Sequence, residues 1–147
     1  MLLVLGFLFM VFVYAAIGVI AGFLWVLLDP WALQLVILPL FFFLFITKSG
    51  KTIGKYITAS FKKDFSYSRT ELEALVSAVE NTIKFVLATG VFGFITFAVV
   101  SLGHIGSPER LGPSIAISLT TLAYSIAISF FVFFPVQAWA KNKINTM

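Results

Sequence analysis

Apolar residues dominate four stretches of this chain, at approximately residues 3–28, 31–47, 85–105 and 113–138. A helix needs about 20 residues to cross a bilayer at roughly 1.5 Å per residue, and each stretch comes close to or exceeds that length. The pattern predicts an all-α integral membrane protein with four transmembrane helices, arranged as two hairpins in one membrane domain. We interpret the first stretch as a permanent span rather than a signal peptide, because no basic residue precedes it and no polar cleavage region follows it.

A polar connector, residues 48–84, separates the two hairpins and has helical features. Ser68 with Glu71, and Thr70 with Glu73, both have the spacing of a capping box. Four apolar residues then follow at helical spacing, namely Leu72, Leu75, Val76 and Val79. We therefore expect span three to extend out of the membrane as an amphipathic helix. Its apolar stripe could pack on the extension of span two, on its own bundle, or on a neighbouring subunit.

Composition and charge set the class of protein and its orientation. Hydrophobic residues make up 61% of the chain and charged residues only 11%, too few to cover a soluble domain. The basic residues between spans two and three are Lys48, Lys51, Lys55, Lys62, Lys63, Arg69 and Lys84, and Lys141 and Lys143 follow span four. The other two turns contain a single basic residue, Arg110. The connector and both termini are therefore predicted to be cytoplasmic, and the net charge of +4 indicates topology rather than nucleic-acid binding.

Several kinds of chemistry are excluded or disfavoured by the residues present. The chain has no cysteine and one histidine, which excludes disulfides and thiol ligation and argues against a metal site or a cofactor. No nucleophile–base pair or carboxylate dyad occurs at membrane depth, so we do not expect an enzyme. His104, near the outer end of span three, could gate ion entry or simply end a helix at the interface. Asp29 could attract cations or cap span two.

Span four carries a stripe of hydroxyl groups on one side over about four turns. Its members, Ser114, Ser118, Thr121, Ser125 and Ser129, recur at steps of four, three, four and four. Span three has a weaker counterpart in Thr89, Gly93, Thr96, Val100 and Gly103, with Gly90 beside them. Two interpretations fit. The small residues can bring the helices close, each hydroxyl bond adding about 0.6 kcal/mol, or the faces can line a narrow polar path. Because no charged residue lies at membrane depth, such a path would need a carboxylate from another polypeptide.

The second hairpin resembles the MotA/TolQ/ExbB family of ion-driven motor subunits, most closely flagellar stator MotA. The resemblance is carried by Gly90 and Gly93, by "SPERLGP" and "AISLTTLAY", and by Pro135 at the end of span four. It implies a homopentamer in the bacterial inner membrane around a dimer of single-span MotB/TolR/ExbD-like partners. An aspartate of each partner would pick up the transported ion, H+ or Na+. The chain would then be a membrane subunit of a motor driven by the ion-motive force.

The resemblance also implies roles for individual residues. The ion path would be lined by Thr121, Ser118, Ser125, Ser114, Thr96 and Thr89. Conformational or kink positions would be Pro135, Pro113, Gly90 and Gly93. Pro135 would also free a backbone carbonyl and allow a kink.

Some positions depart from the family pattern. Phe94 stands where a ring threonine is expected, and its phenyl group would block or dry a hydrated path. Leu87 replaces a proline and Phe97 a glycine on span three. The connector is also far shorter than the region with which flagellar MotA pushes on its rotor, so a different load is expected. The alternative function is a non-conducting membrane scaffold whose small and hydroxyl faces drive oligomerisation.

Overall fold

A computed structural model describes residues 29–60 and 67–147, and side chains throughout these ranges except at 57–60. The predicted span at 3–28 lies outside the described residues. The described part is helical, without strands, as the apolar pattern predicts. Its helices are α1 (Pro30–Ile46), α2 (Ser49–Ser60), α3 (Arg69–Leu102), α4 (Pro108–Ala127) and α5 (Phe134–Asn145), and a π-helical turn (Ile128–Phe133) joins α4 to α5.

Two helices of the described part are long and apolar enough to cross a membrane. They are α3 and the continuous helix Pro108–Asn145, which contains α4, the π-helical turn and α5. A third crossing results if α1 and the start of α2, which meet at an angle of 96°, form one broken span. These helices are compatible with a multi-pass membrane protein.

The helices that contain the predicted spans three and four have boundaries of their own. Span three falls in the second half of the 34-residue helix α3, which ends at Leu102. The helix of span four begins at Pro108, five residues earlier than predicted, and continues to Asn145. Proline is suited to the first helical turn, where its missing N–H has no partner to lose, so most of "SPERLGP" is helical. Pro113 consequently lies inside α4 and not before it.

The start of α3 confirms one of the two predicted capping boxes. The Ser68 hydroxyl accepts a hydrogen bond from the Glu71 N–H at 3.3 Å, and the Glu71 carboxylate accepts one from the Ser68 N–H at 3.3 Å. Thr70 is already inside the helix and does not cap it. The reciprocal bonds satisfy two of the N–H groups that a helix start leaves without intrahelical partners.

We expect Ser68→Ala to cost about 1 kcal/mol of local stability at the start of α3, because it removes the capping acceptor. Hydrogen exchange of the first-turn amides measures this loss. Ser77→Ala is the matched control, because Ser77 is an exposed serine inside α3, and it should change exchange of these amides much less. Equal effects of the two substitutions would contradict the assignment of Ser68 as the cap.

The amphipathic half of α3 packs within its own chain, which answers the question left open by the sequence. Leu72, Leu75 and Val79 are fully buried, and α3 contacts both α2 and α5. Three aromatic rings join these elements: Tyr56 stacks on Tyr67 at 5.5 Å, and Tyr67 meets Trp139 edge-on at 5.4 Å.

An exposed ion pair also connects α2 with α3. The Lys55 ammonium lies 2.8 Å from the Glu71 carboxylate, linking α2 to the start of α3. The hydrogen bond from Lys55 lowers the pKa of Glu71, and the same bond raises the pKa of Lys55. Both side chains are exposed, so this ion pair contributes little to the stability of the fold.

The π-helical turn before Pro135 keeps one side of span four facing the bundle. The buried residues Thr121, Ser125, Ser129, Phe133 and Gln137 follow one another at steps of four. In an α-helix each such step overshoots a full turn by about 40°, so four steps would rotate the stripe by about 160°. The wider π-helical turn offsets this drift. Its last bond runs from the Phe134 N–H to the Ser129 carbonyl, just before the proline that has no N–H.

The widened turn keeps the helix of span four continuous past Pro135, from Pro108 to Asn145. Within the same helix Phe133 is buried, whereas Leu119, Ile126 and Phe130 are exposed.

Candidate functional site at the contact of α3 and α4

The hydroxyl stripe of span four lies against α3 of the same chain. Ser118 is 2% exposed, Thr121 and Ser125 are 0% exposed, and Ser129 is 1% exposed. Ser114, one turn nearer the start of α4, is only half-buried. Four of the five stripe residues are thus enclosed within a single protomer.

Two glycines of α3 provide the space for these residues. A Cβ atom added at Gly93 would lie 2.7 Å from the Thr121 methyl group, closer than real Cβ contacts. A Cβ atom added at Gly90 would overlap the Ser125 side chain. The predicted role of glycine in close helix approach is therefore confirmed, and opposite the native Ser125 and Thr121 side chains a larger residue at either position would push α3 and α4 apart.

The stripe hydroxyls are satisfied mostly by backbone carbonyls. Ser118 donates across the interface to the Phe94 carbonyl at 2.9 Å. The others donate within α4: Ser114 to the Arg110 carbonyl at 2.9 Å, Thr121 to Ile117 at 2.7 Å and Ser125 to Leu122 at 2.8 Å. The Ser129 hydroxyl has no hydrogen-bond partner among the described residues.

The threonines predicted on span three are not part of this contact. Thr89 donates to the Phe85 carbonyl and Thr96 to the Phe92 carbonyl, each at 2.9 Å. Thr89 is half-buried and Thr96 is exposed. Val100 and Gly103 are exposed as well. Of the small and polar residues predicted on span three, the glycines Gly90 and Gly93 contact α4, while Thr96, Val100 and Gly103 lie on the exposed surface. Phe94 contributes its carbonyl to Ser118 while its side chain is half-buried.

Comparison with known proteins identifies no relative: no family model, no curated protein and no solved structure matches this chain. The resemblance to the MotA/TolQ/ExbB family therefore stays a prediction.

Asp29 and His104 are not members of the stripe. Asp29 caps α1, as one of its two interpretations predicted, by accepting from the Trp31 N–H at 2.9 Å and the Ala32 N–H at 3.4 Å. His104 lies in the turn after α3, where its N–H donates to the Ser101 carbonyl at 3.0 Å. The imidazole is half-buried, and its Nδ1 has no hydrogen-bond partner in the described part of the chain. No cluster of three potential metal ligands occurs in residues 29–60 and 67–147.

Sequence reasoning missed a groove at the lysine-rich end of the bundle, which we call the elbow groove. It has a volume of about 640 Å³ and lies between the bend that joins α1 to α2 and the facing side of α3. Its lining includes Thr47, Lys48, Ser49 and Thr52 from the bend, and Ser77 and Asn81 from α3. The available signal was the stretch "TKSGKT", where apolar span two stops abruptly at a basic, hydroxyl-rich segment.

Proposed function

We propose that this chain is a non-conducting scaffold subunit of a membrane assembly, in which the small and hydroxyl faces hold α3 and α4 together. One observation supports this choice above all: Ser118, Thr121 and Ser125 are buried inside the protomer against α3. A path lined by these hydroxyls would run through the closed contact of two helices, where Gly90 and Gly93 leave no room even for a methyl group.

The outer surface fits the same proposal. Along α3 most of the exposed side chains at membrane depth are bulky and apolar, among them Phe92, Ile95 and Val99, with Thr96 as a polar exception. Such a surface suits contact with lipid or with the apolar helices of neighbouring subunits. The lysine-rich end, built from α2, α5 and the start of α3, would form the platform outside the bilayer.

Ion flux through the native assembly tests this proposal. Thr121→Val keeps the shape of the side chain and removes only a hydrogen bond within α4, so the fold should survive. Thr120→Val is the matched control, since its hydroxyl also bonds within α4, to the Ala116 carbonyl at 2.7 Å, but points elsewhere. We expect neither variant to change the size of the assembly, or the H+ and Na+ flux of vesicles containing it. A flux that Thr121→Val abolishes and Thr120→Val preserves would contradict the scaffold.

The second candidate is a subunit of an ion-driven motor, and the exposure of Thr96 favours it. This hydroxyl-bearing residue remains on the outer surface of α3 at membrane depth, where a partner helix could reach it. A partner aspartate would supply the charge that the described spans lack, and each charge crossing 100 mV would release about 2.3 kcal/mol. A co-purifying chain with one apolar span and one membrane aspartate, together with loss of flux in Thr96→Val, would favour the motor over the scaffold.

A further inference from the structure

The elbow groove is formed by a sharp change of direction between two helices. α1 ends at Ile46, Lys48 has a left-handed backbone with φ of 55°, and α2 starts at Ser49. The two helices meet at 96°, so α2 runs along the membrane surface if α1 crosses the bilayer. The groove of about 640 Å³ lies inside this bend and is closed on its other side by α3.

The groove lies where the apolar surface of the bundle ends. On α1, the last turns before the bend expose Phe41, Phe42, Phe45 and Ile46, each by 57% or more. On α3, the apolar stretch begins at Phe85, directly after the exposed ion pair between Lys84 and Glu80 at 2.8 Å. Acyl chains along the exposed phenyl groups would therefore bring a lipid head group to the level of the groove.

The lining of the groove has the chemistry of an anion site. Lys48 supplies a positive charge, and the side chains of Ser49, Thr52, Ser77 and Asn81 supply hydroxyl and amide groups, whereas the Thr47 hydroxyl already donates to the Phe43 carbonyl at 2.7 Å. No acidic residue of the described part lines it. Lysine and hydroxyl groups pair with phosphate oxygens, and cations at a membrane surface attract anionic lipids. A head group that carries its own cation would place that cation beside Lys48 with no carboxylate to receive it.

We infer that the elbow groove binds the head group of an anionic phospholipid without a cationic substituent, of the phosphatidylglycerol type. Lys48 pairs with the phosphate, and the hydroxyl and amide groups bond to the phosphate and to the polyol. The acyl chains lie along the exposed phenyl groups of α1. This site is independent of whether the assembly conducts ions, because it requires only that the chain is embedded in a bilayer.

Lipid retention by the full-length chain tests the inference. The protein would be purified from bilayers of equal parts phosphatidylglycerol and phosphatidylcholine, and the retained lipids counted by native mass spectrometry. Loss of one lysine charge in Lys48→Gln should lower phosphatidylglycerol retention about fivefold. Lys48→Arg should retain it. Lys143→Gln is the matched control, because it removes a charge at the same end of the bundle but outside the groove.

A second variant separates binding from folding. Because Lys48 has a left-handed φ, Lys48→Gly removes the ammonium group while fitting the backbone better. It should lose phosphatidylglycerol as Lys48→Gln does and remain at least as stable as the native chain. Equal retention of the two lipids by the native chain would overturn the inference, as would an equal loss in Lys143→Gln. Displacement of the lipid by millimolar inorganic phosphate would also overturn it, by indicating a free-anion site.

Discussion

Replacing Gly90 with alanine should destabilise the folded chain by about 1–3 kcal/mol, the usual cost of overpacking a close contact. In an exposed helix the same change would stabilise, since alanine exceeds glycine in helix propensity by about 0.8–1 kcal/mol. Here the added methyl group would overlap the Ser125 side chain, so α3 and α4 must separate. The free energy of unfolding in mixed micelles measures the effect.

The compensating swap makes this prediction specific to the contact. In a Ser125→Gly background the overlap is gone, so Gly90→Ala should be neutral or stabilising, and the double-mutant cycle should give a coupling above about 1 kcal/mol. Gly50→Ala is the control within another helix, because a Cβ atom added there would make only an ordinary contact, 3.5 Å from the nearest Leu44 atoms. Additive effects of the changes at 90 and 125 would show that the two residues do not touch.

Leu75→Ala should cost about 2–5 kcal/mol, the range for removing a buried leucine side chain. Leu75 is fully buried in the amphipathic half of α3, where that helix packs on its own chain. We expect α2 and α5 to loosen together from α3, so amide exchange should increase in both helices. Global unfolding in mixed micelles and exchange by mass spectrometry would measure the two effects.

Leu102→Ala tests the same chemical change on the same helix without burial. Leu102 ends α3 and is 65% exposed, so its truncation should change the free energy of unfolding by less than about 0.5 kcal/mol. A large loss there, with a small one at Leu75, would mean that the outer end of α3 and not its amphipathic half carries the packing.

Local signals made the amphipathic half of α3 predictable from the sequence. The capping box at Ser68 and Glu71, and the apolar spacing that follows, each depend on residues within two turns of one another. Their structural outcome is the predicted helix, with Leu72, Leu75 and Val79 of the predicted stripe buried and Val76 partly buried. The N-cap role of Asp29 could be predicted for the same reason, because a carboxylate directly before a helix that starts with proline has few other local partners.

Which helix the hydroxyl stripe faces could not be predicted, because that depends on pairing between segments about 30 residues apart. The periodicity placed Ser118, Thr121 and Ser125 on one side of span four but did not distinguish a packed contact from a lined path. The glycines were the missing information: Gly90 and Gly93 fit Ser125 and Thr121 only after the two helices are aligned antiparallel.

The π-helical turn and the bend between α1 and α2 could not be predicted for a related reason. Pro135 indicated a break in the α-helical bonding, but the form of the break depends on keeping Ser129 and Gln137 on the same side of the bundle. Lys48 gave no sign of its left-handed backbone, which ends α1 and turns the chain into α2. Both features arise from the packing of several helices around α3.

Disulfide trapping tests most directly whether the hydroxyl stripe is enclosed within one chain. A Cβ atom at Gly93 would lie 3.7 Å from the Thr121 Cβ, inside the 3.5–4.5 Å range of disulfides, and the chain has no cysteine of its own. Gly93→Cys with Thr121→Cys should close an intramolecular disulfide in native membranes, and Thr121→Cys alone should resist a membrane-impermeant maleimide. Ready labelling of Thr121→Cys, with cross-linking from one protomer to the next, would place the stripe on a shared aqueous path instead.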